Sequence, residues 1–175
     1  LDQLASQIGR LRRDFNLDLR VRGIMTAKRM ALADGEIDLD RWRDILEQQG
    51  EPADLDRFVQ HVHADHLPHA TIIDCSAASD VAMRYADWLG AGLHVVTPNK
   101  KANSASLEYY RRLAEARREA GSHYLYEATV GAGLPVMTTV RDLRETGDRV
   151  REIEGIFSGT LAYLFNVFDG GASFS

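Results

Sequence analysis

The first stretch of the chain carries apolar side chains at helical spacing. Four of them lie three or four positions apart: Leu1, Leu4, Ile8 and Leu11. This spacing predicts an amphipathic helix that ends near Asn16. Residues 17–25 then alternate apolar and polar side chains and predict a strand. Two further segments with helical periodicity, residues 38–50 and 52–66, predict a helical insertion after that strand.

Short apolar runs alternate with helical segments through the middle of the chain. Strands are predicted at residues 69–77, 93–98 and 122–130, and helices between them at 79–92 and 104–121. Largely apolar strands that alternate with helices are typical of a parallel sheet covered by helices on both faces. We therefore predict an α/β fold with a doubly wound, Rossmann-like parallel sheet.

The pattern changes near residue 130. A helix is predicted at residues 134–147, an alternating strand at 149–159 and an apolar helix at 160–168. We place a domain boundary here and assign residues 1–130 to a nucleotide-binding domain. A second domain begins within residues 131–175.

Composition excludes several classes of function. The formal net charge is -5, and the arginines of the segment RRLAEARREAG are interleaved with glutamates, so a nucleic-acid-binding surface is not predicted. No apolar run approaches the length of a membrane span. One cysteine, Cys75, excludes an intramolecular disulfide framework and is typical of a reducing compartment. We predict a cytoplasmic protein.

A parallel sheet of this kind carries a glycine-rich phosphate loop after its first strand. The chain starts inside the helix that would follow that loop, so the first strand and the loop would lie before Leu1. The alternative, that the GAG sequence at residues 131–133 is the phosphate loop, is disfavoured. Val136 stands where a third glycine is needed, and Pro135 lacks an amide hydrogen.

The segment MTAKRM follows the strand predicted at residues 17–25. In a dinucleotide-binding domain, a carboxylate at this place accepts the ribose hydroxyls, whereas cationic groups bind a 2′-phosphate. Here Thr26, Lys28 and Arg29 are present without an acidic residue, so NADP is favoured over NAD as the cofactor. The alternative is that both cations are only surface charge.

Polar residues follow two of the predicted parallel strands. In TPNKKAN, Lys100 would project from the carboxyl edge of the sheet, where a partly desolvated ammonium can exchange a proton with an alcohol. In DCSAAS, Ser76 lies at the same edge and is suited to approach by a cofactor. The alternatives are a lysine on the surface of a helix start and an ordinary helix cap.

Four histidines lie close together in the segment HVHADHLPH: His61, His63, His66 and His69. Pro68 interrupts any common helix face, and no carboxylate or thiol ligands are arranged around them. We interpret this segment as a solvated helix end rather than a metal site.

Three segments, TPNKKAN, YEATVGAGLPV and EGIFSGTLAYLFN, occur in an order and at spacings that resemble homoserine dehydrogenase. The resemblance covers essentially all 175 residues, and the helical insertion looks like the form fused behind an aspartokinase. It implies NAD(P)H-dependent interconversion of aspartate 4-semialdehyde and L-homoserine, on the way to threonine and methionine. It also implies that residues 131–175 begin an α+β substrate-binding and dimerisation domain of a homodimer.

Site residues follow from the same resemblance. It implies that Lys100 contacts the cofactor and transfers the proton, and that Ser76 contacts the cofactor. Gly159 and Thr160 match residues that meet the amino acid substrate at a helix N-terminus. A monovalent cation such as sodium would be bound by four backbone carbonyl oxygens: those of Glu127, Val130, Ala132 and Leu134. The glycines of this loop then let several carbonyl groups converge on one ion.

Two features of the family's pattern fall outside the sequence: the glycine-rich loop and a later acidic segment with a second catalytic lysine. We therefore expect the chain alone to be inactive and to bind NADP weakly. The alternative hypothesis is a noncatalytic nucleotide-binding or dimerisation module of the same fold.

Overall fold

The computed structural model describes residues 1–64 and 69–168. The chain divides into two compact units, Leu1–Ala70 and Thr71–Ser175. The first unit contains α1 (Asp2–Phe15), β1 (Gly23–Met25), β2 (Arg29–Leu32), α2 (Trp42–Gln48), β3 (Glu51–Pro52) and α3 (Leu55–Val62). The second contains β4 (Thr71–Ile73), α4 (Ser79–Ala82), α5 (Tyr85–Gly90), β5 (His94–Val96), α6 (Leu107–Ala120), β6 (Tyr124–Leu125), a 3-10 turn (Glu127–Thr129), α7 (Val136–Glu145) and α8 (Gly159–Val167).

The first unit holds an antiparallel sheet in the order β1-β2-β3. Met25 pairs with Met30, so the chain reverses within four residues, Thr26–Arg29. Because β1 begins only at Gly23, the strand predicted over residues 17–25 is too long, and β2 and β3 were not predicted from the sequence. Alternation indicates which face a side chain occupies, but a tight reversal without glycine or asparagine gives no turn signal in the sequence. A small core lies against this sheet: Ile24, Ala31, Ile37 and Leu46.

The second unit holds a parallel sheet in the order β4-β5-β6, which confirms the predicted parallel architecture. Ile72 of β4 pairs with Val95 of β5, and Val96 pairs with Leu125 of β6. The side chains of Leu89 and Leu93 are almost fully buried beside these strands. Because the strands are parallel, the turns after β4 and after β5 leave the sheet at the same edge.

The helix predicted over residues 79–92 is interrupted between α4 and α5. The hydroxyl of Tyr109 in α6 donates to the carbonyl oxygen of Ala82 at 2.7 Å and accepts from the amide of Ala86 at 3.4 Å. These two backbone groups would otherwise bond to each other in a continuous helix. A side chain inserted into the hydrogen-bond ladder is an established cause of a helix break, so α6 divides this helix.

Residues 146–158, between α7 and α8, form no strand in the structure, so the strand predicted over 149–159 is wrong. Its large apolar side chains are exposed: Val150, Ile153, Ile156 and Phe157. A strand requires a partner for its backbone groups as well as an alternating sequence, and no described segment pairs with this one.

Candidate functional site

The carboxyl edge of the parallel sheet carries two polar turns, one after β4 and one after β5. The first contains Asp74 and Ser76, and the second contains Thr97, Asn99 and Lys100. Three of these five residues are buried and expose no more than 7% of their surface: Asp74, Thr97 and Asn99. Ser76 and Lys100 are exposed, as expected for groups that meet a ligand. The structure thus brings Ser76 and Lys100 to one edge of the sheet, as the sequence predicts.

The carboxylate of Asp74 joins these turns to the core. It accepts hydrogen bonds from the amide of Ser76 at 2.7 Å, from the amide nitrogen of Asn99 at 3.1 Å and from the hydroxyl of Tyr85. Burial raises the pKa of Asp74, but the bonds from Tyr85, Ser76 and Asn99 outweigh it and hold the pKa below its usual value. Asp74 is therefore a buried, ionised acceptor. Burial, followed by the bond to Asp74, raises the pKa of Tyr85.

The turn after β5 is held by its own side chains. The Thr97 hydroxyl donates to the backbone carbonyl of Asp74 and accepts from the amide of Asn99, both at 2.8 Å. The Asn99 side chain also donates to the carbonyl of Ala78 at 3.0 Å and accepts from the amide of Lys101 at 3.0 Å. These bonds fix the backbone on both sides of Lys100, so the direction in which its Cα–Cβ bond leaves the turn is set by buried groups.

The loop between the 3-10 turn and α7 is closed by a side chain. The Glu127 carboxylate accepts from the amides of Met137 at 2.9 Å and Thr138 at 2.8 Å, and from the Thr138 hydroxyl. The Thr138 hydroxyl, with the two amides, lowers the pKa of Glu127 despite partial desolvation. A carboxylate at this position satisfies amides of the first turn of α7 and interacts favourably with the helix dipole.

Four carbonyl groups of this loop were predicted to bind a cation. The Leu134 carbonyl accepts from Val136 at 2.8 Å, and the Glu127 carbonyl accepts from Val130 at 3.4 Å. The carbonyls of Val130 and Ala132 accept no hydrogen bond from the part of the chain that the structure describes. Ala132 adopts a φ of 53° and the preceding glycine a φ of 73°, so two successive residues are left-handed and turn the backbone sharply.

Gly159 and Thr160 are the first two residues of α8, and both are exposed. The helix is capped by Ser158, whose hydroxyl oxygen accepts from the amide of Leu161 at 3.2 Å. The amides of the first turn that this cap does not satisfy are available to an anion.

The predicted cofactor-selecting residues lie in the β1-β2 turn of the first unit. The Thr26 hydroxyl is engaged within this turn, because it donates to the carbonyl of Arg29 and accepts from its amide, both at 3.1 Å. The guanidinium of Arg29 donates to the carbonyl of Gly50 at 2.5 Å. Lys28 is exposed at the tip of the turn, where its ammonium can approach an anion.

The histidine segment offers no metal site among the residues that the structure describes. His61 contacts the carbonyl oxygen of Ala33 at 2.9 Å through Nε2. His66 lies outside the described residues.

Three side chains of the candidate site were not identified from the sequence: those of Asp74, Tyr85 and Glu127. Asp74 directly follows an apolar strand, and a buried acid at that position is a signal that could have been used. Tyr85 lies eleven residues further on within a helical segment, and its bond to Asp74 has no local signature. The Glu127 carboxylate was also missed, since only its backbone carbonyl was considered.

A parallel sheet with two polar turns at its carboxyl edge is the arrangement of an α/β nucleotide-binding domain. The profile described as "Homoserine dehydrogenase, NAD binding domain" matches residues 2–127, and the profile "Homoserine dehydrogenase" matches residues 135–175. The chain belongs to the homoserine dehydrogenase family.

Characterised relatives agree with this assignment. The chain is 55% identical over its whole length to bifunctional aspartokinase/homoserine dehydrogenase 2, chloroplastic, of Arabidopsis thaliana, and covers 19% of that protein. It is 41% identical over 144 residues to homoserine dehydrogenase of Schizosaccharomyces pombe. This match covers 79% of this chain and 38% of that protein. The chain thus spans about a fifth of the bifunctional relatives that it matches.

Solved structures share the fold. A Candida auris protein of unknown function superposes with a TM-score of 0.78 at 29% identity, over 98% of this chain and 48% of that one. A hyperthermophilic archaeal homoserine dehydrogenase in complex with NADPH superposes with a TM-score of 0.61 at 26% identity, over 79% of this chain and 44% of that one. None of the helices in residues 1–64 and 69–168 is both long and apolar enough to cross a membrane.

Proposed function

We propose that this chain forms part of an active homoserine dehydrogenase, which interconverts aspartate 4-semialdehyde and L-homoserine with NADPH. The observation that carries the proposal is the placement of exposed Ser76 and Lys100 in the two turns at the carboxyl edge of the sheet, in a chain of this family. The hydroxyl oxygen of Ser76 accepts from the amide of Ala78 at 3.2 Å, and the side chain is exposed. An exposed hydroxyl at this edge can hydrogen-bond to an oxygen-rich cofactor.

Lys100 is proposed as the catalytic residue. When bound, the nicotinamide cofactor supplies or accepts a hydride at carbon. The ammonium of Lys100 donates a proton to the carbonyl oxygen of the semialdehyde during reduction, and its amine removes that proton in the reverse direction. The fixed backbone on both sides of Lys100 supports this role, because proton transfer requires a positioned group.

The choice of NADP over NAD is supported by the β1-β2 turn. Lys28 is exposed and carries no acidic neighbour within the turn, so it is suited to a 2′-phosphate. Arg29 contributes charge while its guanidinium bonds to Gly50, and Thr26 holds the turn that presents Lys28. NAD is the alternative cofactor.

A monovalent cation such as sodium is proposed at the carbonyl oxygens of Glu127, Val130, Ala132 and Leu134. The donors fit a hard cation, since they are oxygen atoms and two of them accept no hydrogen bond within the described residues. Substrate is proposed at Gly159 and Thr160, where the N-terminus of α8 attracts a carboxylate.

The proposed organisation of the protein draws on its relatives. We propose that residues 1–130 form the NAD(P)-binding domain and that 131–175 begin the substrate-binding and dimerisation domain of a homo-oligomer. Fusion to an aspartokinase is supported by the bifunctional relatives. A cytoplasmic location stays a prediction, and the plant relatives are described as chloroplastic.

The experiment uses the native protein, including any sequence that flanks this chain. NADPH consumption with aspartate 4-semialdehyde is measured for the wild type, for Lys100→Ala and for Lys101→Ala. We expect kcat to fall roughly 10²- to 10⁴-fold in Lys100→Ala, the usual contribution of a proton-transfer group, and to stay near wild type in Lys101→Ala. Equal activity of both variants would assign the proton transfer to another residue, and an inactive wild type would favour the noncatalytic module.

A further inference from the structure

The side-chain carboxylate of Asp74, at the end of β4, accepts several hydrogen bonds that the strand itself does not need. Its carboxylate accepts from three separate segments: Ser76 in the next turn, Tyr85 in α5 and Asn99 in the turn after β5. An ionised carboxylate that exposes 7% of its surface is costly to bury, and an apolar side chain could hold the same strands together. Buried polar networks of this kind hold groups in one geometry when all their members are satisfied.

Asn99 passes this arrangement on to Lys100. Its side-chain nitrogen donates to Asp74 and to the carbonyl of Ala78, and its side-chain oxygen accepts from the amide of Lys101. The carbonyl of Lys100 accepts from the amide and the hydroxyl of Ser104, each at 3.0 Å. The backbone around Lys100 is therefore held on the inner side by Asn99, and Asn99 is oriented by Asp74.

We propose that Asp74 is a positioning residue, which acts through Asn99 to hold Lys100 in the geometry that the reaction requires. This inference rests on the proposed function of Lys100. Asp74 and Asn99 do not meet substrate or cofactor, because both are buried beneath the turns that they connect. Their contribution to the rate is made through the orientation of Lys100.

The test is a double-variant cycle in the native protein. Asn99→Ala removes the side-chain hydrogen bonds that Asn99 makes to Asp74, Ala78 and Lys101. Asp74→Asn replaces one acceptor oxygen by a donor without changing the size of the side chain. We expect each to lower kcat roughly 10- to 100-fold, while KM for NADPH stays within about twofold. Combined with Lys100→Ala, neither is expected to lower kcat further, because a residue that acts through Lys100 loses its effect when the ammonium is absent.

Tyr124→Phe is the matched control. The Tyr124 hydroxyl donates to the side-chain oxygen of Asn103 at 3.1 Å and not to Asp74, and phenylalanine keeps the ring that lies against Tyr85, so kcat should be unchanged. Losses that multiply in the double variants would show a general structural effect and overturn the proposal, as would an unchanged kcat in Asn99→Ala.

A second measurement separates this inference from the proposed function. Hydrogen exchange at the amides of Lys101 and Ser104 should be faster in Asp74→Asn than in wild type, whether or not the wild type turns over aspartate 4-semialdehyde. Unchanged exchange would overturn the positioning role even in an active enzyme. The exchange measurement on Asp74→Asn also tests the proposal if Asn99→Ala does not fold.

Discussion

Gly131 is the residue at which the proposed cation loop is most sensitive to substitution. Its φ of 73° is left-handed, and a Cβ built there would lie 2.8 Å from Cγ2 of Val136. The left-handed conformation costs a residue with a Cβ about 1–2 kcal/mol. The contact adds about 0.5–1.5 kcal/mol, because Val136 must leave its preferred rotamer. We expect Gly131→Ala to destabilise the closed loop by about 1.5–3.5 kcal/mol, or roughly 10- to 300-fold in its population.

Gly133→Ala is the control for this prediction. Gly133 is not left-handed, and a Cβ there would meet no atom within 4 Å. Alanine at such a position leaves stability unchanged or improves it by about 0.4–1 kcal/mol, since it restricts the unfolded chain. The assay is hydrogen exchange of the amides of residues 130–134 and 136 in the native protein, which reports the free energy of local opening. Equal protection in the two variants would refute the strain argument.

Two further predictions concern the cofactor and the effect of pH. Lys28→Ala should reduce the preference for NADPH over NADH in kcat/KM by roughly tenfold, as expected for loss of one charged contact to phosphate, and an unchanged ratio would exclude Lys28 as that contact. The folded state raises the pKa of Tyr85. The protonated hydroxyl therefore contributes its full stabilisation below the ordinary tyrosine pKa of about 10, and this stabilisation is lost as pH rises through the higher pKa of the folded state. The thermal midpoint should therefore fall above about pH 10, and fall less steeply in Tyr85→Phe; equal slopes would contradict this assignment.

The helices with complete local signals could be predicted from the sequence. Residues 104–121 have helical periodicity and a terminal glycine, and the structure gives α6 over Leu107–Ala120 with Ser106 as its cap and Gly121 in the left-handed conformation at its end. The parallel strands β4 and β5 were likewise marked by short apolar runs. In each case the information that determines the element lies within the element itself.

Features that depend on distant partners could not be predicted. The β1-β2 turn at Thr26–Arg29 contains no glycine; bonds of the Thr26 hydroxyl to Arg29 hold it, and Met30 and Ala31 beyond it are buried. The bond from Tyr85 to Asp74 follows no periodicity. The sequence therefore indicated which turns carry the candidate site residues, but not the buried groups that orient them.

The break between α4 and α5 also bears on how the chain folds during synthesis. Tyr109 lies 27 residues after the acceptor and 23 residues after the donor that it satisfies. Until α6 has left the ribosome and docked, the amide of Ala86 and the carbonyl of Ala82 can bond only to each other or to water. The nascent segment is thus free to form one unbroken helix. We expect this helical segment to acquire its native shape late, when the Tyr109 hydroxyl replaces the bond between Ala82 and Ala86.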